Sequence, residues 1–168
     1  MINSIPLLSI LVLLPLVGAL TLAFLRGAAA RVIGLAFALV TTVVGVAAFV
    51  LGQGMELVER LPWISVIGAS YSLELDSMAS IMVLLTVLLT PAVLLAEWHV
   101  GEAEGARWPT GVFFALALAL EGLSLMVFLA GDLLLFYIMF EATLIPMFFM
   151  IAGFGGPSRA AAAVKFLL

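Results

Sequence analysis

Two glutamates, Glu121 and Glu141, stand in stretches where nearly every other side chain is apolar: FFALALALEGLSLMVFLA and LLLFYIMFEATLIPMFFM. A charged group at the centre of a membrane helix costs about 2.5–3.5 kcal/mol on insertion scales, and a glutamate lowers that cost by entering protonated. Burial, a second acid and a nearby base each alter a carboxyl group's proton affinity, so such a group can be tuned to take up and release a proton. The chemistry open to these two residues is therefore proton transfer. The structural alternative is a glutamate that hydrogen-bonds a neighbouring helix. Gly131 and Asp132 form a turn between the two stretches. So short a link makes the two helices antiparallel neighbours. Each glutamate lies about ten residues from the turn, which puts both roughly 15 Å below the same membrane edge.

Other side chains bear on this pair. Ala117 and Ser124 share a helical face with Glu121, a small polar surface where water can sit. Tyr137 lies one turn before Glu141 and is either its hydrogen-bond donor or an interface tyrosine. Asp132 is placed to cap the helix that carries Glu141. Pro146 frees the carbonyl of Ala142 beside Glu141, and Pro91 frees that of Val87. Freed carbonyls in membrane helices line polar pathways or serve only to shape packing. Lys165 is either a cation that snorkels to the surface or one that exchanges charge with an acid. His99, in EWHVGEAEG, reads as a solvated loop histidine.

The elements that must position these residues are membrane helices. Of the 168 residues 66% are hydrophobic and 10% charged, against roughly a quarter charged in a soluble domain. A net charge of −4 argues against nucleic acid as a partner. With no cysteine there is no disulfide, iron–sulfur or thiolate metal site, and one histidine does not make a zinc or haem centre. The N-terminal run lacks a basic leader and is too long for a signal peptide, so it reads as a first span that stays.

A bilayer core takes about 20 apolar residues of helix. Runs at 5–25, 32–51, 77–96, 111–130 and 133–152 meet that length, and a sixth helix begins near Ala160 and is cut at Leu168, as expected of a piece of a longer protein. The expected fold class is all-α and polytopic. Arg26, Arg31, Arg107 and Arg159 fall on one side, whereas the other has only Arg60 among Glu56, Glu59, Glu74 and Asp76. The positive-inside rule then puts the N-terminus outside. The long outer loop 52–76 contains LPWISV and SYSLEL, read either as a small hairpin or as an irregular loop anchored by Trp63. In the second helix Gly34, Ala38, Thr41, Gly45, Ala48 and Gly52 share one face, which points to close internal helix packing.

These residues resemble the antiporter-like membrane subunits of respiratory complex I, the NADH:quinone oxidoreductase. The resemblance rests on FLAGDLLLFYIMFEATLIPMFFMIAGFGG and most specifically on the acid followed by LIPMFF. LELDSMASIMVLLTVLLTPAVLLAEW is similar to the family's third helix, with Ser77 where the family usually has glycine, and AAAVKFLL resembles the start of its sixth. The resemblance implies that Glu141 is essential for proton translocation, that Glu121 is a common fourth-helix acid, and that Lys165 opens helix six. The family's main pumping lysine lies one helix further on. Residues 1–110 then correspond to three leading helices with the outer loop, and 111–168 to the start of the first of two inverted repeats.

The mechanism this implies is electrostatic: ionised Glu141 holds a lysine of a neighbouring helix, and breaking that pair drives proton uptake. No cofactor is expected in this chain; NADH, flavin (FMN), iron–sulfur clusters and quinone belong to partner subunits. The expected partners are neighbouring membrane-arm subunits, the lipid of a bacterial inner membrane, and protons. The alternatives are a subunit of a multisubunit Na+/H+ antiporter and a membrane-arm scaffold that pumps nothing.

Overall fold

The computed structural model describes residues 6–168. Among these residues it contains six α-helices and one hairpin: α1 Leu7–Phe24, α2 Ala28–Gly52, β1 Leu57–Ile64, β2 Ala69–Leu75, α3 Ser77–Ala96, α4 Thr110–Leu129, α5 Leu133–Phe154 and α6 Arg159–Leu167. The first five helices are long and apolar enough to cross a membrane. The expected spans match to within a few residues, and the expected start of the first, at Ile5, lies outside the described residues. The start of α2 differs more. It begins at Ala28, directly after Gly27 at φ 68°, so Arg31 lies in the helix's first turns and not in a loop. A backbone in that left-handed region favours glycine, which fixes where the chain turns from α1 into α2.

α4 is the central helix. It packs on α1, α2, α3 and α5, whereas α5 packs chiefly on α4 and α6. Two apolar clusters fill the bundle. One, near the hairpin, contains Leu11, Val83, Val87, Leu125 and Leu129. The other, near the opposite end, contains Leu22, Ala38, Leu94, Phe114 and Leu118.

The predicted small-residue face of α2 is its buried face, with Gly34, Ala38, Thr41, Gly45 and Ala48 all buried. A Cβ on Gly45 would fall 2.8 Å from Val87 Cγ1, and one on Gly34 2.9 Å from Phe114 Cδ2. The face therefore lets α3 and α4 approach closely, in a setting where van der Waals packing replaces hydrophobic drive.

The long loop 52–76 contains a hairpin. β1 and β2 pair antiparallel from Leu57↔Leu75 to Ile64↔Ala69, with an irregularity between Pro62 and Ile64. The first strand starts four residues before the expected LPWISV. Pro62 lacks an N–H, and an edge strand of a two-stranded sheet tolerates that. The hairpin lies across the helix ends and is tied to two of them. Glu59 receives the backbone N–H of Leu8 at 2.7 Å and of Ser9 at 3.0 Å, and the Ser9 hydroxyl at 2.5 Å. It thus caps α1 from about fifty positions away. At the α4–α5 turn, Gly131 N–H donates to Ser72 O at 2.8 Å, and Ser70 N–H donates to Asp132 Oδ2 at 3.0 Å.

Candidate proton-transfer site

Glu121 lies on α4 between the two apolar clusters, and it is 2% exposed. Neither carboxyl oxygen has a hydrogen-bond partner. Ala117, one turn before it, is buried, and Ser124 is half-buried. On α3, Thr90 Oγ1 donates to Thr86 O at 3.0 Å. Gly122, next in sequence, lets α1 approach: a Cβ there would lie 2.6 Å from Leu16 Cγ.

Glu141 lies at the same depth but in different surroundings. Glu121 is eight residues before Leu129 and Glu141 eight residues after Leu133, so each is about 12 Å from the turn by helical rise. Glu141 is exposed in this chain, on an α5 face that also exposes Tyr137, Ile138 and Ile145. Only Leu135, Pro146 and Gly153 of α5 are buried. Lys165 is exposed on α6, and no ion pair among the described residues joins it to Glu141. The geometry thus brings the two acids into one layer on adjoining helices, encloses one of them, and leaves the second acid and the lysine on open surface.

The two prolines resolve differently. Pro91 is buried, and the Val87 carbonyl it frees lies 2.5 Å from Thr42 Oγ1 of α2. That hydroxyl is also 2.9 Å from Ala38 O, so its single hydrogen is shared. This kink is answered by a neighbouring helix and belongs to packing. Pro146 is also buried, one turn after Glu141.

Asp132 caps α5, accepting from Leu134 N–H at 2.8 Å and Leu135 N–H at 3.2 Å. The backbone N–H of Ser70, then that of Leu135, holds its carboxyl below the usual carboxylate range. Beside it on the hairpin, Arg60 does the same to Glu74 through a 2.6 Å ion pair. At the opposite end His99 is exposed, as expected, but it is not isolated. Its Nδ1 lies 2.7 Å from Glu102 Oε2, and Arg31 pairs with the other oxygen of that carboxylate. An Nδ1 that donates to Glu102 cannot also accept from Arg31 at 3.5 Å, so the carboxylate is the partner that counts. Sequence reasoning missed Thr42, Glu59 and Glu102. None of the three carried a local signal, because each acts on a residue of another element or on a loop partner.

No family model matches the chain. The structure superimposes on respiratory complex I from Thermus thermophilus with bound NADH at TM-score 0.79 and 30% identity, covering 95% of this chain and 32% of that one. A membrane-bound sulfane sulfur reductase, an archaeal respiratory membrane complex, shares the fold at TM-score 0.82 and 18% identity, covering 97% of this chain and 34% of that one. These likenesses define the class, a polytopic helical membrane subunit of the complex I kind.

Sequence relatives narrow it. NADH-quinone oxidoreductase subunit M of Mycobacterium tuberculosis is 38% identical over 99% of this chain and 36% of its own length. NAD(P)H-quinone oxidoreductase chain 4 of Prochlorococcus marinus is 33% identical over 97% of this chain and 31% of its own. The chain belongs to this subunit M and chain 4 family, and it spans about a third of the length of these relatives.

Proposed function

We propose that this chain forms part of a proton-translocating membrane subunit of an NADH:quinone oxidoreductase, with Glu141 and Glu121 as the groups that take up and release protons. NADH, FMN, iron–sulfur clusters and quinone bind in partner subunits, where the redox chemistry occurs. The membrane is a bacterial inner membrane, with the N-terminus and the hairpin on its outer side and Arg26, Arg31, Arg107 and Arg159 on the inner side. The base that pairs with Glu141 is a lysine of a neighbouring helix, and neighbouring membrane-arm subunits are the partners of this one. Lys165 is the inner-end cation of the same path.

The observation that carries this reading is Glu121, buried to 2% exposure with both oxygens unpartnered. A buried polar group left unpaired costs about 1–3 kcal/mol, more when charged. A glutamate kept to hold helices together would make the hydrogen bond that justifies it, and this one makes none. An acid kept to exchange protons has to be free to change its partners. The equal depth of Glu141 on the adjoining helix supplies a second station at the same level of the bilayer.

The test uses the assembled complex in sealed vesicles, with proton translocation and NADH:quinone electron transfer measured on the same preparation. Glu141→Gln is expected to lower protons moved per NADH oxidised by more than half, and Glu121→Gln to lower it less, with electron transfer retained in both. Unchanged translocation in both variants would establish the scaffold reading instead. Translocation that requires sodium would establish the Na+/H+ antiporter reading.

A further inference from the structure

We propose that the groove between α4 and α5, at the end of the bundle away from the hairpin, binds one anionic phospholipid, whose phosphate is held by Arg107 and Arg159. The inference needs the chain to span a membrane and is independent of the proton reading of the two glutamates. The groove has a volume of about 180 Å³ and is lined by Trp108, Val112, Leu116 and Phe149. Val112 and Leu116 lie one turn apart on α4, so this wall runs along the helix and into the bilayer. Trp108 precedes the helix, where a tryptophan has its apolar body in lipid and its polar edge near water. The opposite wall is Phe149, which is 42% exposed.

The fold fixes both walls. A Cβ on Gly153 of α5 would lie 2.2 Å from Trp108 Cε3, and the Trp108 ring stands 6.3 Å from that of Phe149. The Arg107 backbone N–H donates to Gly153 O at 3.1 Å. The same segment gathers positive charge. Arg107, directly before Trp108, is exposed. Arg159, from the start of α6, donates its guanidinium to Gly105 O, three residues before Trp108. Neither arginine has an ion-pair partner among the described residues, whereas Arg31 at this end of the bundle is paired with Glu102. One carboxylate, Glu104, belongs to this segment; it is exposed and pairs with neither arginine.

An apolar slot that runs along a membrane helix takes an acyl chain. Two unpaired guanidinium groups at the membrane edge take a phosphate, whose oxygens match the guanidinium fork. Basic pockets between membrane helices bind anionic headgroups on this principle. A zwitterionic lipid presents its own cation to the arginines and fits less well. A protein helix seated in the slot would fill it, yet it would have to bring an acid of its own to meet the two cations. The charge therefore selects the lipid.

The experiment uses the assembled complex in phosphatidylcholine vesicles that contain a minor fraction of phosphatidylglycerol with a diazirine on one acyl chain. Illumination attaches the probe, and peptide mass spectrometry reads where. Label is expected on Trp108, Val112, Leu116 and Phe149, and about fivefold less from a diazirine phosphatidylcholine. Excess inorganic phosphate, which has no chain to fill the slot, is expected not to displace the probe. Arg107→Gln and Arg159→Gln are each expected to lower phosphatidylglycerol labelling about fivefold, the weight of one arginine beside an anionic lipid. Arg26→Gln removes a cation from the α1–α2 connection and is expected to leave labelling as in wild type. NADH:quinone electron transfer shows that each variant is assembled, and the comparison of the two lipids needs no variant. Equal labelling by the two lipids overturns the proposal, because the groove then meets only bulk lipid. An equal loss in Arg26→Gln overturns it too, because surface charge alone is then responsible. So does the absence of label in the wild-type complex, which means that another helix or a neighbouring subunit covers the groove.

Discussion

Glu121 and Thr42 are both polar side chains on membrane helices, and the structure uses them in opposite ways. Thr42 completes the backbone of a neighbour, reaching the Val87 carbonyl that Pro91 leaves free. Thr42→Val keeps the shape and removes the donor, so it is expected to destabilise the subunit by about 1 kcal/mol, within the measured range for interhelical hydrogen bonds in membranes. Thermal unfolding in detergent reads this directly, and proton translocation is expected to stay normal. Glu121 completes nothing. Replacing it by glutamine leaves an unpaired polar group in the same place, so Glu121→Gln is expected to change stability little and translocation measurably. The sequence made it plain that both positions are polar in oil. It did not show which one is satisfied, because satisfaction depends on a donor forty-five residues away for Val87 and on which side chains of the enclosing helices reach Glu121.

At the scale of the elements, the hairpin fastens the starts of α1 and α5 together. Glu59→Ala removes three hydrogen bonds to the start of α1 and is expected to raise hydrogen exchange at the amides of Leu8 and Ser9 about fivefold, taking about 1 kcal/mol for a lost cap. The Asp132 tie is acid-sensitive. Its carboxyl is depressed below the usual range, first by the backbone N–H of Ser70 and then by that of Leu135. A group depressed in the folded state stabilises fully above its ordinary value, and that stabilisation is lost as pH falls through the lowered one. Trp63 fluorescence is therefore expected to report loosening of the hairpin only on acidification below the ordinary carboxylate range, and Asp132→Asn is expected to abolish that transition. The Asp132 cap and the small-residue face of α2 were legible in sequence because both are local: a cap next to its helix, and a period of three and four. The Glu59 cap was not, because it joins residues about fifty apart. The full length of β1 was hidden because Glu59, Arg60 and Pro62 interrupt its β-branched pattern, and only pairing with β2 shows that an edge strand accommodates them.

Taken as a whole, the bundle surrounds α4 and leaves one side of α5 open. Depth along a helix can be counted from sequence, so the shared layer of Glu121 and Glu141 was legible. Enclosure depends on which helices surround which, so the difference between a buried and an exposed acid was not. Packing at the end away from the hairpin is tight enough to test separately. A Cβ on Gly153 would fall 2.2 Å from Trp108 Cε3, so Gly153→Ala must displace the indole and is expected to cost about 1–3 kcal/mol in thermal stability. None of these packing tests bears on what the acids do. The direct test is the number of protons moved per NADH oxidised by the reconstituted complex carrying Glu141→Gln, beside wild type and at equal electron-transfer rate. The account predicts a fall of more than half. A ratio equal to that of wild type would contradict it.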